Sequence, residues 1–141
     1  MTSDLITRLS KLDAPDREVD ARIWCEVHGV VYVDHYALMH ETQVFFKEKG
    51  KRKEQVSGGD RPHAAFYTAS VDAATALAER VLPGWYWGIT QGDDGEDAVE
   101  FQGNVWPSIQ PYPAELEQYG YHKFPAIALL IALLRAKEAS K

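Results

Sequence analysis

Four histidines and one glutamate between positions 28 and 63 are the side chains best suited to hold a metal ion: His28, His35, His40, Glu41 and His63. Imidazole and carboxylate groups are usual zinc ligands, and a zinc-bound water is a nucleophile at neutral pH. His35 and His40 are five residues apart, so a helix would not place them on one face as an HExxH site does. The sequence therefore leaves two interpretations: solvated polar residues without metal or cofactor, or a metal-dependent enzyme that uses His35, His40 and Glu41.

A run of cations stands out because the formal net charge of the chain is -6. After Lys47 and Lys49 it continues with Lys51, Arg52, Lys53 and Arg61. Such a run is typical of an exposed loop that charge keeps soluble, and it also attracts phosphate groups. Aromatic side chains near it are either core residues or a platform on which a base stacks. The candidates for binding an anionic or nucleotide-type small molecule, besides these four cations, are Tyr67, Trp85, Tyr86 and Trp106.

No nucleophilic site is evident in the sequence. Cys25 is the only cysteine, and it stands beside Trp24 on a predicted helix without a basic neighbour to favour a thiolate. Neither a Gly-x-Ser-x-Gly motif nor a phosphate-cradling glycine loop occurs. We therefore assign no catalytic residue, predict that Cys25 is packed and inert, and favour a protein that is not an enzyme.

Composition limits the class of protein. The 141 residues fit one domain, 1–141, that can build a core without disulfide or metal. An acidic chain is a poor candidate for binding duplex DNA, which requires a large basic face. A single cysteine excludes an intramolecular disulfide, and the longest apolar run, Phe124 to Leu134, is too short to span a bilayer. We expect a cytoplasmic protein with no signal peptide and no membrane partner, in the host cytoplasm if a phage encodes it.

Apolar spacing predicts helices and strands in mixed order. Ser3 can cap a first helix, Asp13 or Asp16 a second that ends at Gly29, and Ser70 a third that begins near Val71. Strands are predicted over 30–33, 44–46, 85–91 and 98–102, with the segment 47–63 as an exposed basic loop and 103–123 as an aromatic-rich connection. The predicted fold is α+β, with a small, mainly antiparallel sheet layered with helices as a sandwich.

The last predicted helix begins near Pro125 and is apolar on two sides. One stripe contains Ile127, Leu130, Ile131 and Leu134, and a second contains Leu129 and Leu133. A helix of this kind is either enclosed in the core or used in self-association. A homo-oligomer formed through this helix is therefore an alternative to a core position.

Three segments resemble a family of bacteriophage and prophage proteins associated with the phage ABA-sandwich domain. They are Pro15-Asp-Arg-Glu-Val-Asp-Ala-Arg-Ile-Trp, Tyr67-Thr-Ala-Ser-Val-Asp-Ala-Ala and Phe124-Pro-Ala-Ile-Ala-Leu-Leu-Ile-Ala-Leu-Leu-Arg-Ala. The resemblance covers the opening helices, positions 66–91 and the closing helix. These motifs are caps, turns and packing stripes, so the resemblance implies a phage accessory protein with a small sheet and helices and carries over no catalytic residue.

Together these observations predict a non-catalytic phage accessory protein that binds an anionic or nucleotide-type small molecule. One role for such a binder is sequestration of a nucleotide signal of host defence. The metal-dependent enzyme remains one alternative. A module that binds a host protein through exposed aromatic side chains is the other.

Overall fold

The computed structural model describes residues 2–50, 62–93 and 99–140. In these ranges the chain is one α+β domain, which confirms the predicted fold class. The elements in chain order are α1 (Thr2–Ser10), α2 (Arg17–His28), β1 (Val31–Ala37), β2 (Thr42–Lys47), β3 (His63–Ala64), α3 (Val71–Val81), β4 (Tyr86–Asp93), β5 (Val99–Trp106), β6 (Gln118–His122) and α4 (Pro125–Ala139). A short 3-10 helix, Ala114–Leu116, precedes β6. Most of the predicted basic loop, from Lys51 to Arg61, lies outside the described residues.

Local capping fixes the ends of α2 and α3. The Asp16 carboxylate accepts a hydrogen bond from the Val19 amide at 2.9 Å, and the Ser70 hydroxyl accepts one from the Ala73 amide at 3.1 Å. Gly29, with φ of 70°, ends α2 in the left-handed conformation that glycine adopts without a steric cost. The predicted caps at Asp16, Gly29 and Ser70 are therefore confirmed.

The strands form two separate antiparallel sheets of three strands, where the sequence predicted a single sheet. The first sheet has the order β1-β2-β3, and α2 packs against it. The second has the order β4-β5-β6, and α4 packs against that one. Each helix covers only one sheet because the apolar face of a small sheet is about the size of a single helix.

The connection predicted over 103–123 is wrong at both of its ends. β5 continues to Trp106, and Gln118–His122 form β6. Gly103 and Gly120, which suggested breaks, are paired with each other across the two strands. A Cβ atom at Gly103 would lie 2.5 Å from the Cα atom of Leu129, and one at Gly120 would lie 2.8 Å from the amide nitrogen of Ala132. Glycine is present because the backbone of α4 touches the sheet there.

The closing helix α4 is the centre of the core. It packs against the second sheet on one side and against α1 and α3 on the other. Its buried residues cover both predicted stripes, from Ala126 to Leu134 without interruption and again at Ala136. The core interpretation is therefore confirmed, and the second stripe that suggested self-association is instead buried within the chain. None of the helices in the described part of the chain is long and apolar enough to cross a membrane.

A buried polar contact joins α2 to the turn before α3. Asp20 is buried, and its carboxylate accepts a hydrogen bond from the Thr68 amide at 2.8 Å. The Thr68 hydroxyl in turn accepts one from the Asp16 amide at 2.9 Å. Burial raises the pKa of Asp20 to about 6, although the hydrogen bonds from Thr68 and the charge of Arg17 act in the opposite direction. The start of α2 is thus fixed by a carboxylate whose ionised form is costly.

Candidate functional site

A cleft of about 560 Å³ lies where the start of α1, the middle of α2 and the start of β1 meet. The end of α4 and the segment after β2 complete its rim. This volume is in the range of small-molecule sites, about 300 to 1,000 Å³. Its charged and hydroxyl-bearing side chains belong to Thr2, Ser3, Asp4, Arg8, Arg22, Glu26, Tyr32, Lys49 and Glu138.

Arg8 and Arg22 line the cleft as its basic wall, and they share Glu18 as an ion-pair partner. Glu18 accepts hydrogen bonds from both guanidinium groups: Arg22 Nε lies 3.0 Å away, and Arg8 also forms an ion pair with it. Arg22 is four residues after Glu18, so the two share a face of α2. The Arg22 guanidinium also lies over the Tyr32 ring, 4.2 Å from its centroid, which fixes its orientation.

The charges of this wall do not cancel. Burial acts to raise the pKa of Glu18. Arg8 and Arg22 act in the opposite direction, through their hydrogen bonds to the carboxylate and through their charges, and together they lower the pKa. One carboxylate therefore stays ionised against two guanidinium groups, which leaves a net positive charge. Lys49 also lines the cleft and adds a further cation. The two guanidinium groups offer hydrogen-bond donors to an anion, beside the carboxylates that line the same cleft.

The cleft also carries carboxylates. Glu26 accepts a hydrogen bond from the Thr2 hydroxyl, and Lys137 Nζ lies 4.0 Å from the same oxygen. Asp4 and Glu138, both exposed, line the cleft as well. Asp4 is one helical turn from Arg8, and Glu26 is one turn from Arg22, so a ligand in the cleft would meet cations and hydrogen-bond acceptors side by side.

Four apolar side chains also line the cleft: Leu5, Cys25, Val30 and Val31. Cys25 is buried, which confirms that it is packed, and burial raises the pKa of its thiol to about 12. Its thiolate is therefore not populated at neutral pH, and Cys25 contributes apolar contact rather than nucleophilic chemistry. The cleft combines a charged rim with an apolar lining, the usual arrangement of a binding pocket.

The histidines of the metal hypothesis lie in separate contacts. His63 Nδ1 is 2.9 Å from Glu41 Oε2, and His35 Nδ1 is 2.7 Å from the Tyr32 hydroxyl. His28 stacks on Trp24 with ring centroids 3.9 Å apart, and His40 is exposed in the β1–β2 turn. Within residues 2–50, 62–93 and 99–140, no group of three His, Cys, Asp or Glu side chains could hold a metal ion. The structure thus does not bring His35, His40 and Glu41 together as a ligand set.

The predicted ligand-binding residues are dispersed. Tyr67 is buried in the core and Trp85 is half-buried against it, so neither forms an open platform. Tyr86 and Trp106 face each other across β4 and β5, with ring centroids 5.8 Å apart. The four cations, Lys51, Arg52, Lys53 and Arg61, lie outside the described residues. Lys49 belongs to the predicted basic run and also lines the cleft, so it connects the two.

Sequence reasoning missed Arg8, Arg22 and Tyr32. The only local signal was the Glu18–Arg22 spacing, which is common on solvated helix faces. The aromatic partner comes from β1 and the second arginine from α1, so the cluster exists only after folding. Comparisons with protein-family models, with curated proteins and with solved structures found no match.

Proposed function

We propose that this protein is a non-catalytic binder of a small anionic molecule of nucleotide type, and that the cleft between α1, α2 and β1 is its site. The observation that carries the proposal is the pair of guanidinium groups, Arg8 and Arg22, held on a single carboxylate beside an apolar lining. Fixed arginine forks suit the oxygens of a phosphate group. The side chains need little reorganisation because Glu18 and Tyr32 already orient them.

The rest of the cleft supports a ligand with a ring as well as a phosphate. The apolar lining from Val30, Val31 and Leu5 offers contact to a flat base. Two carboxylates of the lining, Glu26 and Glu138, are acceptors for the amino group of a base. Inorganic phosphate alone would use only the basic wall, so a nucleotide should bind more tightly than phosphate.

The family resemblance gives this proposal a biological setting. In a phage accessory protein, a nucleotide-binding cleft without a nucleophile would serve to sequester a nucleotide signal of host defence. Sequestration requires tight binding and no turnover. Both can be measured on the purified chain.

The test is calorimetric titration of the full chain with a panel of linear and cyclic nucleotides, with native mass spectrometry of the same mixtures. We expect one nucleotide per cleft, recovered chemically unchanged. Lys49→Glu should weaken binding at least about tenfold, because it replaces a cation on the rim with an anion. Lys11→Glu is the matched control: it makes the same charge change on an exposed residue just after α1 that does not line the cleft.

Three results would overturn the proposal. The first is that no nucleotide of the panel binds, and the second is that a bound nucleotide is converted to product. The third is that Lys49→Glu and Lys11→Glu weaken binding equally, since binding would then depend on net charge rather than on the cleft.

A further inference from the structure

The face of the second sheet opposite α4 is rich in aromatic and amide side chains. Gly103 and Gly120 point toward α4, so the alternating positions of β4, β5 and β6 point away from it. We call these positions the outer face. Its side chains are those of Tyr86, Gln102, Asn104, Trp106, Tyr119 and Tyr121, with Thr90 and Glu100 toward one end.

The aromatic rings of the outer face are accessible. Tyr86 and Tyr121 are 55% and 54% exposed, and Tyr119 is 38% exposed. Trp106 is half-buried under Tyr86. Gly88 leaves room beside them: a Cβ atom there would lie 2.9 Å from the Asn104 amide oxygen and 3.7 Å from the Trp106 ring. The result is a shallow surface of rings around two amides.

The charged groups at the outer face are acidic. In the described parts of β4, β5 and β6, the charged residue at outer-face positions is Glu100, and none of these positions holds Lys or Arg. At one end, Glu117 accepts hydrogen bonds from the Tyr119 hydroxyl at 2.6 Å and from the Tyr112 hydroxyl at 3.1 Å. Both carboxylate oxygens are therefore held in place by tyrosine hydroxyls. Two cations lie nearby: Arg135, at the strand edge, donates to the Tyr119 carbonyl at 2.7 Å, and Lys123, directly after β6, forms an ion pair with Asp13 at 3.5 Å.

We propose that the outer face is a docking surface for a partner protein that presents a Lys- or Arg-rich segment. Tyrosine and tryptophan are enriched at protein interfaces, where they supply rigid contact area while small and amide residues supply hydrogen bonds. Glu100 and Glu117 provide charge complementarity to a basic segment, and the open rings can contact cations through their faces. This proposal is independent of the nucleotide cleft, which lies on other elements.

A single-stranded nucleic acid is a weaker fit to the same rings. Aromatic platforms for single strands are combined with a positively charged groove that follows the phosphates. The outer face instead places carboxylates beside its rings, which would repel a phosphate backbone. The charge of the surface therefore selects a basic protein segment rather than a nucleic acid.

The experiment is an NMR titration of the isotopically labelled full chain with two matched sets of synthetic peptides. In one set Lys and Arg alternate with Leu and Tyr, and in the other every Lys and Arg is replaced by Glu. We expect only the basic set to bind, and to shift amide signals of β4, β5 and β6. Binding by the acidic set with equal affinity, shifts confined to other elements, or no binding by the basic set would overturn the proposal.

Two pairs of variants locate the binding. Tyr121→Ala should weaken the basic peptides at least about tenfold, whereas Tyr36→Ala, which removes a ring that is 61% exposed at the end of β1, should not. Glu100→Lys should also weaken binding of the basic peptides. Glu79→Lys, the same change at an exposed position of α3, should not. Equal effects within either pair would contradict the proposal. A single-stranded oligonucleotide that binds this face more tightly than the basic peptides would do so as well.

Discussion

The two halves of the molecule are held together by different interactions. The second sheet approaches the backbone of α4 closely at Gly103 and Gly120, neither of which has a side chain. The first half, which contains α1, α2 and the first sheet, is connected by side-chain hydrogen bonds and ion pairs at Asp20 and Glu18. Close packing tolerates almost no change of volume, and a buried polar group is costly to leave without its partner. The candidate cleft lies in the half where polar and ionic contacts join the elements.

The largest expected effect is at the backbone contact. Gly120→Ala places a methyl group against the Ala128 carbonyl and the Ala132 amide, so α4 must move away from the sheet. We expect a loss of more than about 3 kcal/mol in the free energy of unfolding, measured by urea denaturation. Gly88→Ala is the matched control, because its methyl group would meet side-chain atoms of Asn104 and Trp106 rather than backbone. That control should lie within about 1 kcal/mol of the unmodified protein, and equal losses would mean that the backbone contact is not decisive.

The second prediction concerns the pH dependence of the buried contact in the other half. Burial raises the pKa of Asp20 from 3.8 to about 6, so the folded chain binds this proton more readily than the unfolded chain. The free energy of unfolding should therefore fall as the pH rises from 4 to 6. Asp20 contributes roughly 2 kcal/mol to this fall between pH 4 and 6, and roughly 3 kcal/mol over the whole range from below pH 3.8 to above pH 6, at about 1.4 kcal/mol for each unit of pKa.

Asp20→Asn separates this contribution from those of other groups. Its amide oxygen can still accept the Thr68 N–H, but the side chain no longer titrates. Urea unfolding at a series of pH values should show the variant gaining stability relative to the unmodified protein as the pH rises. Parallel pH profiles for the two proteins would contradict a buried, titrating Asp20.

The smallest expected effect is at the cleft, where stability and binding should respond in opposite directions. Glu18→Gln removes the carboxylate that Arg8 and Arg22 share, and these partly exposed ion pairs contribute at most about 1 kcal/mol. The glutamine oxygen can still accept a hydrogen bond and orient an arginine, while loss of the negative charge leaves both guanidinium groups uncompensated. A nucleotide should therefore bind several-fold more tightly in calorimetry. Glu79→Gln, at an exposed position of α3, makes the same charge change and should alter neither the free energy of unfolding nor nucleotide binding. Weaker nucleotide binding by Glu18→Gln would count against the cleft as the anion site.

Within the fold, the elements that local chemistry defines were predicted well. The Asp16 and Ser70 caps and the start of α4 near Pro125 are all in the structure. β6 was not predicted, because Gly120 interrupts its pattern and the residues around it resemble a loop. Its partner, Gly103, is 17 positions away in the chain, and the reason for both glycines is a third segment, α4.

For the candidate site, the sequence predicted cations that would attract an anionic ligand, but it did not predict where in the fold they lie. The basic run pointed to an anionic ligand, and Lys49 of that run lines the cleft. The aromatic residues chosen beside it were placed elsewhere, with Tyr67 in the core and Tyr86 on the outer face. Composition reports which groups a chain contains, whereas a site requires groups from several elements to converge.

The sequence by itself determined the α+β class, the caps at Asp16, Gly29 and Ser70, and a closing helix apolar enough to be enclosed. These features follow from interactions between residues a few positions apart, which the order of the side chains specifies directly. The cap predicted at Ser3 was wrong, because α1 already begins at Thr2. Only the tertiary structure decided that the strands divide into two sheets and that Arg8 and Arg22 meet on Glu18. It also decided that the tyrosines of β4 and β6 share one face. Each of these depends on contacts between distant segments, which form because the core around α4 must exclude water.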